Sequence, residues 1–396
     1  MLMEKRVELS KAYLLTAGLL ILLVGFVAGT RSDQIIGTVG PLLGFRVSTE
    51  TLDDARLQET YRTLKAYYNG PLDDALLLEG AQRGLVEAAD DNYTVFMNRK
   101  EADEFNRDLS GDIGGGIGAE IGMRKGRPTV VRALPDNPAI KAGIHAGDII
   151  IGVNEEATDG WTVEKTVARI KGEPGTTVKL SLLRGDTPKE ISITRAVINN
   201  PSVTSELKGE VGILTVSRFD SETVSLVRKA VDRLKNQGMT KLVLDLRGNG
   251  GGYLDAAPGV AGMWLSDKVV VSIKANAEGS ETYRSEGDQS LKGVPTAVLV
   301  NAGTASAAEI IAAALKQHKV ATIVGEQTFG KGTVQELVPL SDGAMLKVTI
   351  KRWYTPNGAN VEGKGIRPQV EAELTQKDLD AGKDPQLEAA LQTLGR

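Results

Sequence analysis

The chain has 396 residues, of which 41% are hydrophobic and 25% are charged, and its formal net charge is −4. At roughly 150 residues per domain, this length predicts two or three domains. The charge balance lacks the basic excess typical of proteins that bind nucleic acid, so no nucleic-acid partner is expected. The absence of cysteine excludes disulfides, cysteine-based zinc sites and thiol catalysis.

Residues 1–30 contain an uncharged, mostly apolar stretch, residues 12–29, which follows Lys5, Arg6 and Lys11. Its length lies between that of a signal-peptide core and that of a spanning helix, which needs about 20 residues. No clear cleavage site follows, so we favour a single-pass membrane anchor over a cleaved signal or a buried helix. The basic flank predicts a cytoplasmic N-terminus, with the rest of the chain extracytoplasmic, or secreted if the segment is cleaved.

Residues 31–110 are predicted to be a helical N-terminal region. Apolar side chains recur there at helical spacing, at Leu57, Tyr61, Leu64 and Tyr68. A second helix is expected after Pro71, and the polar residues 90–92 end it near residue 89.

Residues 111–197 change character and predict a compact β-barrel of short strands with one or two helices. The region opens on the glycine-rich run Gly115, Gly116, Ile117 and Gly118. Short apolar runs predict strands at 129–131, 148–153 and 178–183, and a helix is expected at 162–170.

Residues 198–374 alternate between predicted strands and helices. The strands are expected at 211–216, 241–246, 297–300, 320–324 and 346–352, and the helices at 221–237 and 305–316. This alternation predicts an α/β core with a largely parallel sheet, on which parts of residues 52–110 pack. The remaining residues, 375–396, are predicted to form a C-terminal helix. The chain is therefore expected to be a multi-domain α/β protein.

A glycine-rich turn follows the predicted strand 241–246 and contains Gly250, Gly251 and Gly252. Glycines allow backbone N–H groups to approach a ligand closely, and such groups can bind a developing oxyanion. A phosphate loop is the alternative, but the Lys-Ser/Thr pair that it requires does not follow.

Ser306 lies between a predicted strand and a predicted helix, among the small residues Ala305, Ala307 and Ala308. At a helix N-terminus, free N–H groups and the helix dipole favour negative charge. Taken alone, this segment is better explained by a helix cap at Ser306 or Thr304.

Lys331 lies between Gly330 and Gly332, soon after a predicted buried strand. A serine hydroxyl needs a base to become a nucleophile. The two histidines are poorly placed, because His318 is expected at the far end of the helix that follows Ser306, and His145 lies in the barrel region. A buried lysine can act as the base, since desolvation disfavours its ammonium form.

Four segments together resemble the carboxy-terminal processing peptidases, also called tail-specific proteases. Residues 302–309 are similar to the nucleophile motif of that family, and 329–335 to its general-base motif. The turn 245–252 and the segment 354–366 match too, in the right order. The resemblance covers nearly all of the chain from residue 52 onward.

The resemblance implies a serine endopeptidase that acts through an acyl-enzyme. Ser306 would be the nucleophile, Lys331 the general base, and Gln335 the residue that orients Lys331. The oxyanion hole would be formed by the N–H groups of Ala307 and of one glycine in the turn, for which Gly252 is preferred to Gly251. No metal and no cofactor are implied.

The region 111–197 resembles an inserted PDZ domain. Gly115, Gly116, Ile117 and Gly118 match the loop that holds the terminal carboxylate of a peptide, and the peptide would add as a strand beside the one that follows. The implied partners are protein or peptide substrates with accessible C-termini. This domain would either deliver tails to Ser306 or cover the catalytic groove until a tail binds.

Some alternatives stay open. A catalytically silent PDZ scaffold conflicts with the intact Ser306 and Lys331, and another α/β enzyme, such as an acyl-CoA hydratase-like fold, conflicts with the PDZ region. An adaptor protein and a homo-oligomer remain hypotheses. The sequence departs from the family at Ala308 and at 92–94, and neither departure is expected to touch the chemistry.

Overall fold

The computed structural model describes residues 48, 50–112, 114–124, 126–134, 136–275, 279–375, 377–378 and 381–395. The predicted membrane segment lies outside these residues, and none of the described helices is long and apolar enough to cross a membrane. The chain divides into two compact units between Leu77 and Leu78.

The first unit holds α1 (Ala55–Tyr67) and the start of α2 (Asp74–Glu87), as the helical spacing predicts. An ion pair of 2.6 Å joins Lys65 to Asp74. Neither helix contains a buried residue.

The second unit begins with the rest of α2 and continues with β1 (Val95–Met97) and α3 (Arg99–Ser110). A capping box starts α3, because Asn98 and Glu101 each accept a hydrogen bond from the other's backbone N–H. The strand β1 was not expected in a region predicted to be helical. It pairs antiparallel with the strand Met345–Tyr354 and so joins this region to the core.

Residues 114–198 form a barrel module with antiparallel strand pairs and its own hydrophobic core, which includes Ile150, Leu180 and Leu182. Its elements are β2 (Gly115–Gly116), β3 (Ala119–Arg124), β4 (Arg127–Ala133), α4 (Pro138–Lys141), β5 (Ile149–Val153), β6 (Glu156–Ala157), α5 (Val163–Ile170), β7 (Thr177–Arg184), β8 (Thr187–Thr194) and β9 (Ala196–Val197).

The rest of the chain forms an α/β core. Its elements are β10 (Val203–Lys208), β11 (Val211–Val216), α6 (Thr223–Asn236), β12 (Lys241–Asp245), α7 (Ala256–Ala261), β13 (Val269–Lys274), β14 (Ser280–Arg284), β15 (Thr296–Val300), α8 (Ala307–Gln317), β16 (Thr322–Gly325), β17 (Thr333–Pro339), β18 (Met345–Tyr354), β19 (Val370–Glu371) and α9 (Pro385–Leu394).

The central sheet has the strand order β10-β11-β12-β15-β16-β19. The strands from β11 to β19 are parallel, and β10 is an antiparallel edge. Alternate side chains face opposite sides, so Leu242 and Leu244 pack with α6, α7 and α8, while Val243 packs with α9. The parallel arrangement brings the ends of β12, β15 and β16 together at one edge.

The prediction of a largely parallel sheet was too broad. The core carries a second sheet in which β18 pairs with β1, β13 and β17, and β13 pairs with β14, all antiparallel. Across the described residues most strand pairs are antiparallel. The physical reason is connectivity, because a short turn, Ser341–Gly343, joins β17 to β18, and such a turn permits only antiparallel pairing.

Candidate active site

A cleft of about 680 Å³ is lined by residues from both sheets of the α/β core. It brings together five of the predicted site residues from three separate segments. Its lining includes Ser306, Lys331, Gln335, Gly251 and Gly252. The three segments follow β12, β15 and β16, which are neighbours in the central sheet.

Ser306 stands at the start of α8 in a backbone conformation that is rare for a residue with a side chain, with φ 54° and ψ −121°. Neighbouring hydrogen bonds hold this geometry: Ala305 N–H donates to the Asn249 carbonyl at 2.9 Å, and the Thr304 hydroxyl donates to the Leu246 carbonyl at 2.8 Å. Strain of this kind is concentrated at functional sites, because the surrounding structure must maintain it. Ser306 is half-buried and faces the cleft.

The glycine-rich turn lies against Ser306 and requires glycine at two positions. Gly251 and Gly252 have φ angles of 101° and 139°, and a Cβ on Gly252 would lie 2.0 Å from the Phe219 carbonyl oxygen. Phe219 holds the turn in place, because its N–H donates to Gly251 and its carbonyl accepts from Tyr253.

The turn does not support the predicted donor role of Gly251. Its N–H already donates to Oδ1 of Asn249 at 2.8 Å. Among the described residues, no acceptor occupies the N–H of Gly252 or of Ala307. These two groups are the remaining candidates for binding an oxyanion.

Lys331 is held by its backbone and has no ion-pair partner among the described residues. Its N–H donates to Glu309 at 2.9 Å, and its carbonyl accepts from the Trp353 indole at 2.7 Å. Burial lowers the pKa of the Lys331 ammonium, and the nearby charge of Lys347 lowers it further, against the opposing effects of Glu362 and Glu309. The neutral amine is thereby favoured.

The segment 92–94 touches the site, contrary to expectation. The Lys331 ammonium lies 5.4 Å from the centre of the Tyr93 ring. Thr94 accepts a hydrogen bond from the Thr349 N–H. The sequence could not indicate these contacts, because Tyr93 and Lys331 are 238 positions apart and Thr94 and Thr349 are 255 positions apart. No local pattern links residues at such distances along the chain.

Glu309 was missed as a site residue. Its carboxylate is completely buried and accepts hydrogen bonds from the Ser306 N–H (2.9 Å) and the Lys331 N–H (2.9 Å). It also accepts from the Gly330 N–H (2.8 Å) and the Thr328 hydroxyl (2.5 Å). One side chain therefore ties the serine segment to the lysine segment. The Ser-x-x-Glu spacing of a capping box was the available signal.

Gln335 lines the cleft but forms no hydrogen bond with Lys331 in the described part of the chain. Its amide nitrogen donates to the hydroxyls of Thr333 (2.8 Å) and Thr349 (3.3 Å). Direct orientation of Lys331 by this side chain is therefore not seen, and the predicted role of Gln335 remains a prediction.

Other cleft residues were not anticipated. Phe105, Asp108 and Leu109 of α3 also line the cleft, and the Lys347 ammonium lies 5.4 Å from the centre of the Phe105 ring. No cluster of three or more acidic or histidine side chains within the described residues could hold a metal ion.

The barrel module has a separate, smaller groove of about 80 Å³. Of the four residues predicted to form a carboxylate-binding loop, Gly116, Ile117 and Gly118 line this groove and Gly115 does not. Gly115 has a packing role instead, because a Cβ there would lie 2.1 Å from the Gly172 carbonyl oxygen.

Substitution of Gly252 by alanine is expected to lower kcat/KM for a peptide substrate about 10²- to 10³-fold, since the added Cβ displaces the turn and its N–H. Gly250→Ala is the matched control, because a Cβ at Gly250 would meet nothing within 4 Å. Initial rates of peptide cleavage measure both. Equal activity in the two variants would contradict the role of the Gly252 N–H in binding the oxyanion.

Family models match two parts of the chain: a PDZ domain at residues 115–194 and peptidase family S41 at residues 210–372. The carboxy-terminal processing protease CtpA of Bacillus subtilis is 35% identical over 390 residues, covering 98% of this chain and 81% of that protein. A CtpA-like serine protease of Staphylococcus haemolyticus is 34% identical over 358 residues, covering 89% of this chain and 71% of that protein.

Among solved structures, the photosystem II D1 C-terminal processing protease matches with a TM-score of 0.52 and 31% identity, covering 87% of this chain and 92% of that one. The matches to CtpA of Bacillus subtilis and to this solved structure extend over 98% and 87% of the chain, more than either family model alone covers. The chain belongs to the carboxy-terminal processing peptidases of family S41, and it is a serine-type peptidase.

Proposed function

We propose that this chain is an endopeptidase that cuts polypeptides in or near their C-terminal regions with a Ser306–Lys331 dyad. The observation that carries the proposal is that one cleft is lined both by a strained, half-buried serine and by a lysine whose pKa is lowered by burial. The names of the relatives, which describe carboxy-terminal processing, support the choice of substrate region.

The mechanism follows from the geometry. Ser306 Oγ attacks the scissile carbonyl carbon while the neutral Lys331 amine takes the hydroxyl proton. The N–H groups of Gly252 and Ala307 bind the oxyanion of the tetrahedral intermediate. The Lys331 ammonium then protonates the leaving amine. Water, deprotonated by the same amine, attacks the acyl-enzyme carbonyl carbon. The bond to Ser306 Oγ then breaks, and the Lys331 ammonium returns the proton to Oγ, which restores both residues. No step uses a metal or a cofactor.

The PDZ domain is proposed to bind substrate tails. The tail would add as a strand beside β3, with its terminal carboxylate at the N–H groups of residues 116–118. Apolar side chains line the groove, so we expect tails that end in an apolar residue. These side chains are Ile117, Ile121, Leu134, Val167, Ile170 and Ile198.

We also propose that residues 12–29 anchor the chain in the membrane with the catalytic part extracytoplasmic. An adaptor protein and a homo-oligomer, which would use the exposed leucines and tyrosines of α1 and α2, remain hypotheses of lower priority. Two measurements test the membrane anchor: separation of membrane and soluble fractions, and digestion of the chain by a protease added to intact cells. Recovery of all of the chain in the soluble cytoplasmic fraction would exclude the anchor.

The substrate proposal is tested with an unfolded test protein carrying an apolar tail, in free-acid and C-terminally amidated forms. We expect faster cleavage of the free acid by the full chain, and no cleavage of either form by Ser306→Ala. Mass spectrometry locates the cuts. Equal rates for the two forms would contradict tail recognition, and activity that survives in Ser306→Ala would contradict the dyad.

Deletion of residues 111–195 separates the two models of the PDZ domain. If the domain covers the cleft until a tail binds, cleavage of a short peptide rises. If it delivers tails, cleavage of the tailed protein falls and cleavage of the short peptide does not change.

A further inference from the structure

Arg195 is a buried cation at the end of the PDZ domain. It follows β8 and is only 7% exposed. Its guanidinium donates to the carbonyl of Ile170 at 2.7 Å, to the carbonyl of Thr177 at 3.1 Å and to the Thr176 hydroxyl at 3.0 Å. A longer contact of 3.4 Å reaches the Arg169 carbonyl. No carboxylate forms an ion pair with it among the described residues.

Buried arginines are usually paired with an acid, because an uncompensated charge in the protein interior is costly. Here the compensation comes from a helix end. Arg169 and Ile170 are the last residues of α5, and the carbonyls at a helix C-terminus carry partial negative charge. Arg195 therefore neutralises the negative end of α5.

The same helix end forms one wall of the tail groove. Val167, Ile170 and Lys171 line the groove together with residues 116–118 of the carboxylate-binding loop. A peptide carboxylate bound there would face the negative end of α5. Without Arg195, the repulsion would oppose binding of a free C-terminus.

Arg195 is also tied to the loop through glycine contacts. A Cβ on Gly172 would lie 2.9 Å from Arg195 Nε, so the guanidinium packs directly on this glycine. The Gly172 N–H donates to the Gly115 carbonyl at 3.1 Å. The end of α5, the buried cation and the start of the carboxylate-binding loop thus form one connected unit.

We propose that Arg195 makes the tail groove select a free α-carboxylate over an uncharged chain end, by neutralising the C-terminus of α5 and positioning the carboxylate-binding loop. The inference rests on the tail-binding role proposed for the PDZ domain, and it assigns the selection of the terminal charge to one buried residue outside the loop. Arg195 is a positioning residue, since the described contacts do not bring it into the groove lining.

The test uses the full chain with Ser306→Ala, which prevents cleavage. The probes are a fluorescein-labelled peptide of about ten residues ending in valine, as the free acid and as the C-terminal amide, and fluorescence anisotropy gives Kd. The parent is expected to prefer the free acid. Arg195→Met is expected to weaken free-acid binding roughly fivefold to tenfold and to leave amide binding unchanged.

Two variants serve as matched controls. Arg184 lies in the same domain but pairs with Asp148 at 2.7 Å, so Arg184→Met should not change the ratio of the two Kd values. Lys171 is exposed at the groove, so the effect of Lys171→Met should disappear at about 0.5 M NaCl, whereas that of Arg195→Met should persist because buried charges are little screened.

The outcomes separate the two proposals. A parent that binds both probes equally, or neither, contradicts the tail-binding role itself and the inference with it. A parent that prefers the free acid, together with an Arg195→Met variant that keeps the preference or weakens both probes equally, overturns only the role of Arg195. If Arg195→Met does not fold, Arg195→Lys decides, because it keeps the charge and should keep the preference, while Arg195→Gln should lose it.

Discussion

Lys331→Met is expected to lower kcat/KM for a peptide substrate by about 10⁴-fold while leaving tail binding to the PDZ domain unchanged. The variant removes the base that takes the Ser306 proton, and the cleft is otherwise preserved. Lys316→Met is the matched control. The pKa of Lys316 is also lowered by burial, but its amine donates to the Arg367 carbonyl, away from the cleft. The control should retain nearly full activity.

The pH dependence of kcat/KM is expected to follow the titration of Lys331. Burial lowers the pKa of Lys331 from its ordinary value of 10.5, and only the neutral amine accepts a proton. Activity is therefore expected above this lowered pKa and should be lost as the pH falls through it. Lys347→Gln removes a neighbouring positive charge, so it should raise the pKa of Lys331 and move the acidic limb of the kcat/KM profile to higher pH. An unmoved limb would exclude Lys331 as the titrating group.

The substitution Lys331→Met is expected to increase the stability of the folded chain although it lowers activity. The unfolded chain binds a proton at Lys331 more tightly than the folded chain does, so burial of this lysine costs stability below pH 10.5, most of all below its lowered pKa. Lys331→Met is therefore expected to unfold at a higher temperature than the parent near neutral pH. A variant that is inactive because it is unfolded would show the reverse, which makes thermal unfolding the necessary companion measurement.

Glu309→Gln is expected to lower the free energy of unfolding by about 3 to 5 kcal/mol, because the amide cannot accept all the buried hydrogen bonds that the carboxylate accepts. We also expect kcat/KM to fall at least about 100-fold at temperatures where the variant is folded, since the Ser306 and Lys331 segments lose their common anchor. Urea unfolding and initial rates measure the two effects.

Glu362→Gln is the control for Glu309. Glu362 also accepts a hydrogen bond near the cleft, from the Gly332 N–H at 2.7 Å, but it is only half-buried. Its loss should cost about 1 kcal/mol. If both variants lose equal stability, the burial of Glu309 has no special energetic role, and its function as an anchor is wrong.

The sequence by itself determined the domain order and most of the chemistry. The glycine turn, Ser306 and Lys331 each follow a short apolar strand, and strand formation depends mainly on local composition and spacing. The structure makes these strands neighbours, and because neighbouring parallel strands end at one edge of a sheet, the cleft contains all three segments.

Only the tertiary structure decided how these groups are supported. The hydrogen bonds from the lysine segment to Glu309 and the contact of the Tyr93 ring with Lys331 join segments distant in sequence. The hydrogen bond that occupies the Gly251 N–H is local, but it depends on how the completed turn orients the Asn249 side chain. The antiparallel second sheet depends in the same way on which strands pair. Local patterns specify strands, turns and helix starts, whereas hydrogen-bond partners and the desolvation that lowers a pKa depend on the residues that the completed fold places nearby.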